Sequence, residues 1–252
     1  MDITKALTGI AAITRHFLKK LLLSRKAVIT ILVAAFVAAV MGYAGAQNGV
    51  GTSDGADLLD VLILFFFMPV LAMIYGTSLI RDEIDDKSIT HVATAPLDRA
   101  VSYVGYYIPL ALTVSISMVV VNTAGFLAFF AQVGLGGEAL ELWGEFTALV
   151  VVGSFVYSAL FLAVSVLLKK PAFFGLFYAF IWEGFIGSLP GAIQKVSVKH
   201  YLRSVGSDWV DFGSIASFAD ATAPWASWAV LAALAVSLIA LGALLFRETE
   251  LA

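Results

Sequence analysis

The chain contains no cysteine, which excludes a disulfide framework, a thiolate metal site and a cysteine nucleophile. Charge is scarce: Asp, Glu, Lys and Arg make up 13% of the 252 residues, about half the share of an ordinary soluble domain. Hydrophobic residues make up 61% and the mean hydropathy is +0.96, more apolar surface than a water-soluble fold of this length can cover. A net charge of −3 and the lack of long basic stretches interleaved with aromatics speak against nucleic acid as a partner. No G-x-x-x-x-G-K-[ST] phosphate loop is present, so the chain has no usual P-loop ATPase chemistry of its own. The H-E-x-x-H signature is also missing. His16, His91 and His200 sit in separate segments, and the topology derived below puts His200 on the opposite side from the other two, so they cannot share a metal.

What is present is a series of continuous apolar runs. A membrane-spanning helix needs about 20 such residues, and six stretches qualify: about 27–46, 58–80, 101–131, 146–168, 172–189 and 226–246. The third is long enough to tilt or to project beyond the bilayer. The runs do not alternate, which excludes a membrane β-barrel. Ala44-Gly45-Ala46 resembles a signal-peptidase site, but the preceding 26 residues are long for a leader, and the run is read as an uncleaved span. With a cytoplasmic N-terminus, segments 1–26, 81–100, 169–171 and 247–252 lie inside and hold twelve of the fifteen Lys and Arg residues. Segments 47–57, 132–145 and 190–225 lie outside and hold Lys195, Lys199 and Arg203 only. That asymmetry predicts six spans with both ends cytoplasmic.

The connections add detail. In residues 1–26, Ile3, Leu7, Ile10, Phe17, Leu18 and Leu21 recur at helical spacing opposite Lys5, Arg15 and Lys19, as in an amphipathic helix lying at the membrane interface; a plain basic tail is the alternative. Loop 81–100 is the most charge-dense part of the chain. Ile84, Ile89 and Val92 within it suggest a short amphipathic helix, capped by Asp86 or Ser88 and ended by Pro96. Segment 190–225 mixes Gly and Ser with Trp209, Phe212, Ile215 and Phe218 in runs too short to span, which predicts short helices over the outer mouth.

Polar residues inside the spans are few. Glu183 stands in a span, where a carboxylate must be paired, protonated or wetted; it is read equally as a substrate-path or gating residue and as a structural acceptor. Asn122 in the third span is the next candidate, with a helix–helix hydrogen bond as its simpler use. Pro69 and Gly76 are expected to kink or loosen the second span. Gly153, Ser154, Ser158 and Ser165, then Gly175 with Ala179 and Gly184 with Ser188, read as small-residue faces for close helix approach.

The run from Tyr75 through Arg81, Asp82, Glu83 and Asp86 to Ile89, followed by Ala95-Pro96-Leu97-Asp98-Arg99, resembles the ABC-2 family of ABC-transporter permeases. Glu83, Pro96, Leu97 and Arg99 fall on that family's loop positions. Its Gly-Thr stands here as Lys87-Ser88, and the lysine that often follows the arginine is absent, with Tyr106 and Tyr107 in that region. Trp182-Glu183 followed by Leu189-Pro190-Gly191 is similar to the fifth span of one permease branch. The resemblance implies an all-α integral membrane subunit whose loop 81–100 is the coupling element, with Glu83, Asp86, Thr90, Pro96 and Arg99 as its candidate contacts. It further implies a separate cytoplasmic ATPase carrying ATP and Mg, and a complex of two permeases, homodimeric in the simplest case, with two ATPases. No cofactor or metal is expected in this chain, and no enzymatic activity.

Three other readings stay open from the residues alone. A membrane anchor or scaffold would recruit cytoplasmic partners through 1–26 and 81–100. A membrane-embedded enzyme would need a carboxylate site near Asp208, Asp211 and Asp220. A secondary transporter would need more ionisable residues in the spans and an inverted repeat.

Overall fold

The computed structural model describes residues 14–15, 17–22, 24–85, 99–189 and 191–248, with the backbone alone for 80–85 and 99. Every regular element among the described residues is helical. Five helices are long and apolar enough to cross a membrane: Arg25–Gly45, Thr52–Leu79, Ala100–Val133, Gly137–Leu167 and Pro224–Glu248. They coincide with five of the six expected spans.

Helix α1 (Arg25–Gly45) starts where the Ser24 hydroxyl accepts from the Lys26 N–H at 3.3 Å. Its buried line of Thr30, Ala34, Val37, Met41 and Gly45 follows one helical face. The opposite face exposes Val28, Ile31, Leu32 and Phe36, apolar side chains that suit lipid. The second span is one continuous helical rod in three parts: α2 (Thr52–Leu58), a π-helical stretch Leu59–Phe67, and α3 (Met68–Asp85). Pro69 is the second residue of α3, where its missing N–H and its ring interrupt the ladder next to the π stretch. Gly76 lets the rod approach the next layer: a Cβ there would lie 2.7 Å from that of Phe161.

Helix α4 (Arg99–Val133) has 35 residues and α5 (Gly137–Leu167) has 31. The helix of the fourth span thus begins well before the residue 146 expected for the span. Glu138 and Glu141 are exposed, but Ala139, Leu142 and Phe146 are buried on the other face, and this amphipathic stretch continues the helix outward. The fifth stretch, expected as a span over 172–189, is helical from 171 to 188 but changes type along its length: α6 (Pro171–Phe177), a π-helical stretch Tyr178–Phe185 and a 3-10 turn Ile186–Ser188. Proline opens α6 in its first turn, where a missing N–H costs nothing. Segment 190–225 holds the expected short helices: a 3-10 turn Gly191–Val196, α7 (Val198–Trp209) and α8 (Gly213–Ala216), before the last span α9 (Pro224–Glu248).

The rods run up and down. At one end the Lys26 ammonium donates to the Ser78 hydroxyl, the Thr30 and Tyr75 hydroxyls bond at 3.0 Å, and Phe246 meets the Tyr103 ring at 6.0 Å. Arg25, Lys26, Lys169, Lys170 and Arg247 share this cation-rich end. In residues 17–22, Phe17 and Leu21 are buried and Lys19 and Lys20 exposed; the Phe17 ring meets Tyr106 edge-on at 4.8 Å. Residues 1–13, 16 and 23 of the expected interfacial segment lie outside the described residues. The opposite end is covered by α7 and α8, hereafter the cap.

Small residues close the rods where expected at Gly153 against Met68 and at Gly175 against Met73 and Thr77. Ser154 turns its hydroxyl back to the Val150 carbonyl at 2.7 Å. Gly184 has only ordinary contacts; Gly187 is the tight position, with Ser197 at 3.0 Å.

Candidate functional site

Two regions bear on function. Of the expected coupling residues, Asp86, Thr90 and Pro96 lie outside the described residues. Glu83 and Arg99 belong to the ends of α3 and α4, their side chains likewise undescribed. They stand on either side of the charged segment, at the cation-rich end.

At the other end, carboxylates from the spans hold the cap. Glu183 is fully buried. It accepts from the Tyr178 hydroxyl at 2.7 Å, the Val198 N–H at 2.9 Å and the Lys199 N–H at 3.2 Å. The last two are free N–H groups of the first turn of α7, so Glu183 of the fifth stretch is the tertiary cap of that helix. Ser197, the local cap, accepts from the His200 N–H at 3.2 Å. Trp182 adds a second tie, its indole N–H donating to the Val196 carbonyl at 3.2 Å.

Asp60 supplies the partner contact from the second span. It is buried in the π-helical stretch, and its Oδ2 pairs with Arg203 Nε at 3.1 Å. The pair is Coulombic without hydrogen-bond alignment, since both Asp60 Oδ1 and Arg203 Nε lack a hydrogen-bond partner. Arg203 also lies over the Phe218 ring at 4.7 Å and donates to Ser214 Oγ at 3.3 Å. Lys199 lies over the Phe65 ring at 3.7 Å; burial lowers its pKa while Asp60 opposes the shift. Asp57 accepts from the Ser214 N–H. Gly213 is obligatory beside it, with φ +70° and a would-be Cβ 2.6 Å from Asp57 Oδ1. His200, buried, shares a hydrogen bond of 2.9 Å with Thr222; burial first, then Lys195, lowers its pKa.

Asn122 stands apart from this cluster. Its amide donates to Thr147 Oγ1 at 3.1 Å, between the third and fourth spans. Asp208, Asp211 and Asp220 do not gather: among the described residues no group of three or more His, Asp or Glu is arranged to hold a metal, and Asp220 accepts from Gln194 at 2.9 Å.

Asp60 and Arg203 were not among the residues the sequence singled out. Asp60 follows Asp54 and Asp57 at the start of an apolar run and reads as one more flanking charge. A usable signal was the position of Arg203, one of only three basic residues outside, in a segment with an amphipathic period.

Long apolar helices with lipid-compatible outer surfaces and a buried polar latch under a short-helix cap define a polytopic membrane protein. The family described as ABC-2 family transporter protein matches residues 18–185, two thirds of the chain, and the chain belongs to that family. No curated protein matches it.

Proposed function

We propose that this chain is the membrane-spanning permease subunit of an ATP-driven ABC exporter for a hydrophobic or amphipathic substrate. The observation that carries the reading is the family match over residues 18–185, together with the apolar rods. The chain crosses the plasma membrane six times, with the irregular helix 171–188 as the fifth crossing and both termini in the cytoplasm. The distribution of Lys and Arg supports this orientation. Two copies assemble as a homodimer with two ATPase subunits, which bind ATP and Mg.

In this reading the ATPase grips loop 81–100 through Glu83, Asp86, Thr90, Pro96 and Arg99. The loop joins α3 to α4 directly, so a rigid-body push there tilts the second and third spans together. The second span also carries Asp60, and the fifth carries Glu183. Both contact the cap, and Glu183 acts as a gating residue by tying α7 to the fifth stretch. Asn122 holds the third and fourth spans in register beside that path.

The test is a pull-down of the solubilised protein from its native membrane with ATPase assay, paired with Glu83→Lys. A stoichiometric ATPase, with hydrolysis retained and transport lost in the variant, is the expected result. Transport that survives Glu83→Lys removes the coupling assignment. Partners without ATPase activity return the scaffold reading.

A further inference from the structure

The turn between α5 and α6 sets two exposed lysines along an apolar groove. Leu168, Lys169, Lys170, Phe173, Phe174 and Phe177 line a groove of about 480 Å³. Its shape follows from how α6 is seated. Pro171 and Gly175 are the buried residues of this helix, and Gly175 lies against Met73 and Thr77 of α3. The phenylalanines are thereby turned outward: Phe173 is 79% exposed and Phe177 46%. Lys170 is the residue immediately ahead of α6, whose first turns carry Phe173 and Phe174. Both lysines are exposed, at the cation-rich end of the bundle.

We infer that this groove is a binding site for one anionic diacyl phospholipid of the leaflet at that end. The phosphate sits between Lys169 and Lys170, and an acyl chain runs along Phe173, Phe174 and Phe177. The chemistry selects this occupant. A soluble phosphate would use the two lysines and leave three large rings uncovered. A second copy of the chain, docked on the same groove by a two-fold axis, would bring two like-charged lysine pairs together, at a Coulombic cost. A phospholipid neutralises the ammonium groups and covers the rings at once. The inference rests on the membrane-protein reading for the presence of a bilayer, and on nothing about the ATPase.

The experiment is native mass spectrometry of the purified full-length protein, titrated with dioleoyl phosphatidylglycerol, dioleoyl phosphatidylcholine and inorganic phosphate. Two lysines near a headgroup give a preference for the anionic lipid of about 10- to 30-fold. That preference falls to about parity in the double variant Lys169→Gln/Lys170→Gln. It persists in Lys169→Arg/Lys170→Arg, which also reports that the fold tolerates change there. Phe173→Ser/Phe177→Ser weakens both lipids alike. A preference that survives the glutamine pair, or inorganic phosphate binding as tightly as the lipid, overturns the site. ATPase copurification is scored separately, so absence of the ATPase with lipid preference intact removes the permease reading and leaves this one standing.

Discussion

Removing the Glu183 carboxylate should open the cap locally and leave the bundle in place. Its two oxygens satisfy three donors: Oε1 takes the Tyr178 hydroxyl and the Val198 N–H, and Oε2 takes the Lys199 N–H. Glu183→Ala strands all three. At about 1–3 kcal/mol for each buried donor left without a partner, and with the Lys199 N–H only partly buried, the loss to α7 is about 3 kcal/mol. That corresponds to a local opening equilibrium about 100-fold larger. Glu183→Gln is milder. Its amide oxygen can still take Tyr178 and Val198, but its NH₂ then faces the Lys199 N–H, donor against donor, at a cost of about 1 kcal/mol or about fivefold. The assay is hydrogen–deuterium exchange in nanodiscs on peptides covering 198–209, with α4 peptides as the internal reference. Protection of α7 should fall in the order wild type, Gln, Ala, while α4 is unchanged. Wild-type protection of α7 in Glu183→Ala would refute the capping role.

Arg203→Ala leaves the buried Asp60 carboxylate without its counter-charge and should destabilise by about 3 kcal/mol, whereas Asp60→Leu with Arg203→Met removes both charges and should stay close to wild type; thermal unfolding in detergent ranks them, and an Arg203→Ala protein as stable as wild type would sink the pairing. Gly213→Ala should cost about 1–3 kcal/mol for its left-handed φ alone, with the Asp57 contact adding to it, read as faster exchange in 210–217; unchanged exchange there would show that the turn accommodates a side chain. His200 carries a pH dependence: burial and Lys195 lower its pKa below the ordinary 6.5, with Asp220 opposing. The opened cap therefore takes up more protons than the closed one as pH falls below about 6.5, so cap stability is full above that value and declines beneath it. Protection of α7 relative to α4 should drop between pH 7.5 and 5.5 and stay level in His200→Gln; a drop that persists in the variant would assign it to another group.

The spans were legible because a membrane demands long uninterrupted apolar runs, and the five long helices each contain most of one such run and end close to where it ends. The outward extension of α5 was not, since Glu138, Glu141 and Glu145 dilute the hydropathy while Ala139 and Leu142 still pack. The irregular stretch at 178–185 leaves no local trace, whereas that at 59–67 ends against Pro69, the residue expected to loosen the second span. Glu183 stood out as a carboxylate among apolar residues, but its partners are mostly backbone N–H groups, which every sequence has. The Asp60–Arg203 pair joins residues far apart in the chain, a link that spacing cannot reveal.

Helices of 35 and 31 residues are about 52 and 46 Å long, while the hydrocarbon core of a bilayer is about 30 Å thick. The α4–α5 hairpin must therefore stand proud of the lipid. Its tip, with the exposed Leu135, Glu138 and Glu141, rises beside a cap fastened to the spans at Asp57, Asp60 and Glu183. Together they make a firm extramembrane ledge on a protein that otherwise offers antibodies little but detergent. A nanobody raised against that ledge would grip shape rather than a floppy loop, and would add mass for imaging at the face opposite the charged segment 81–100.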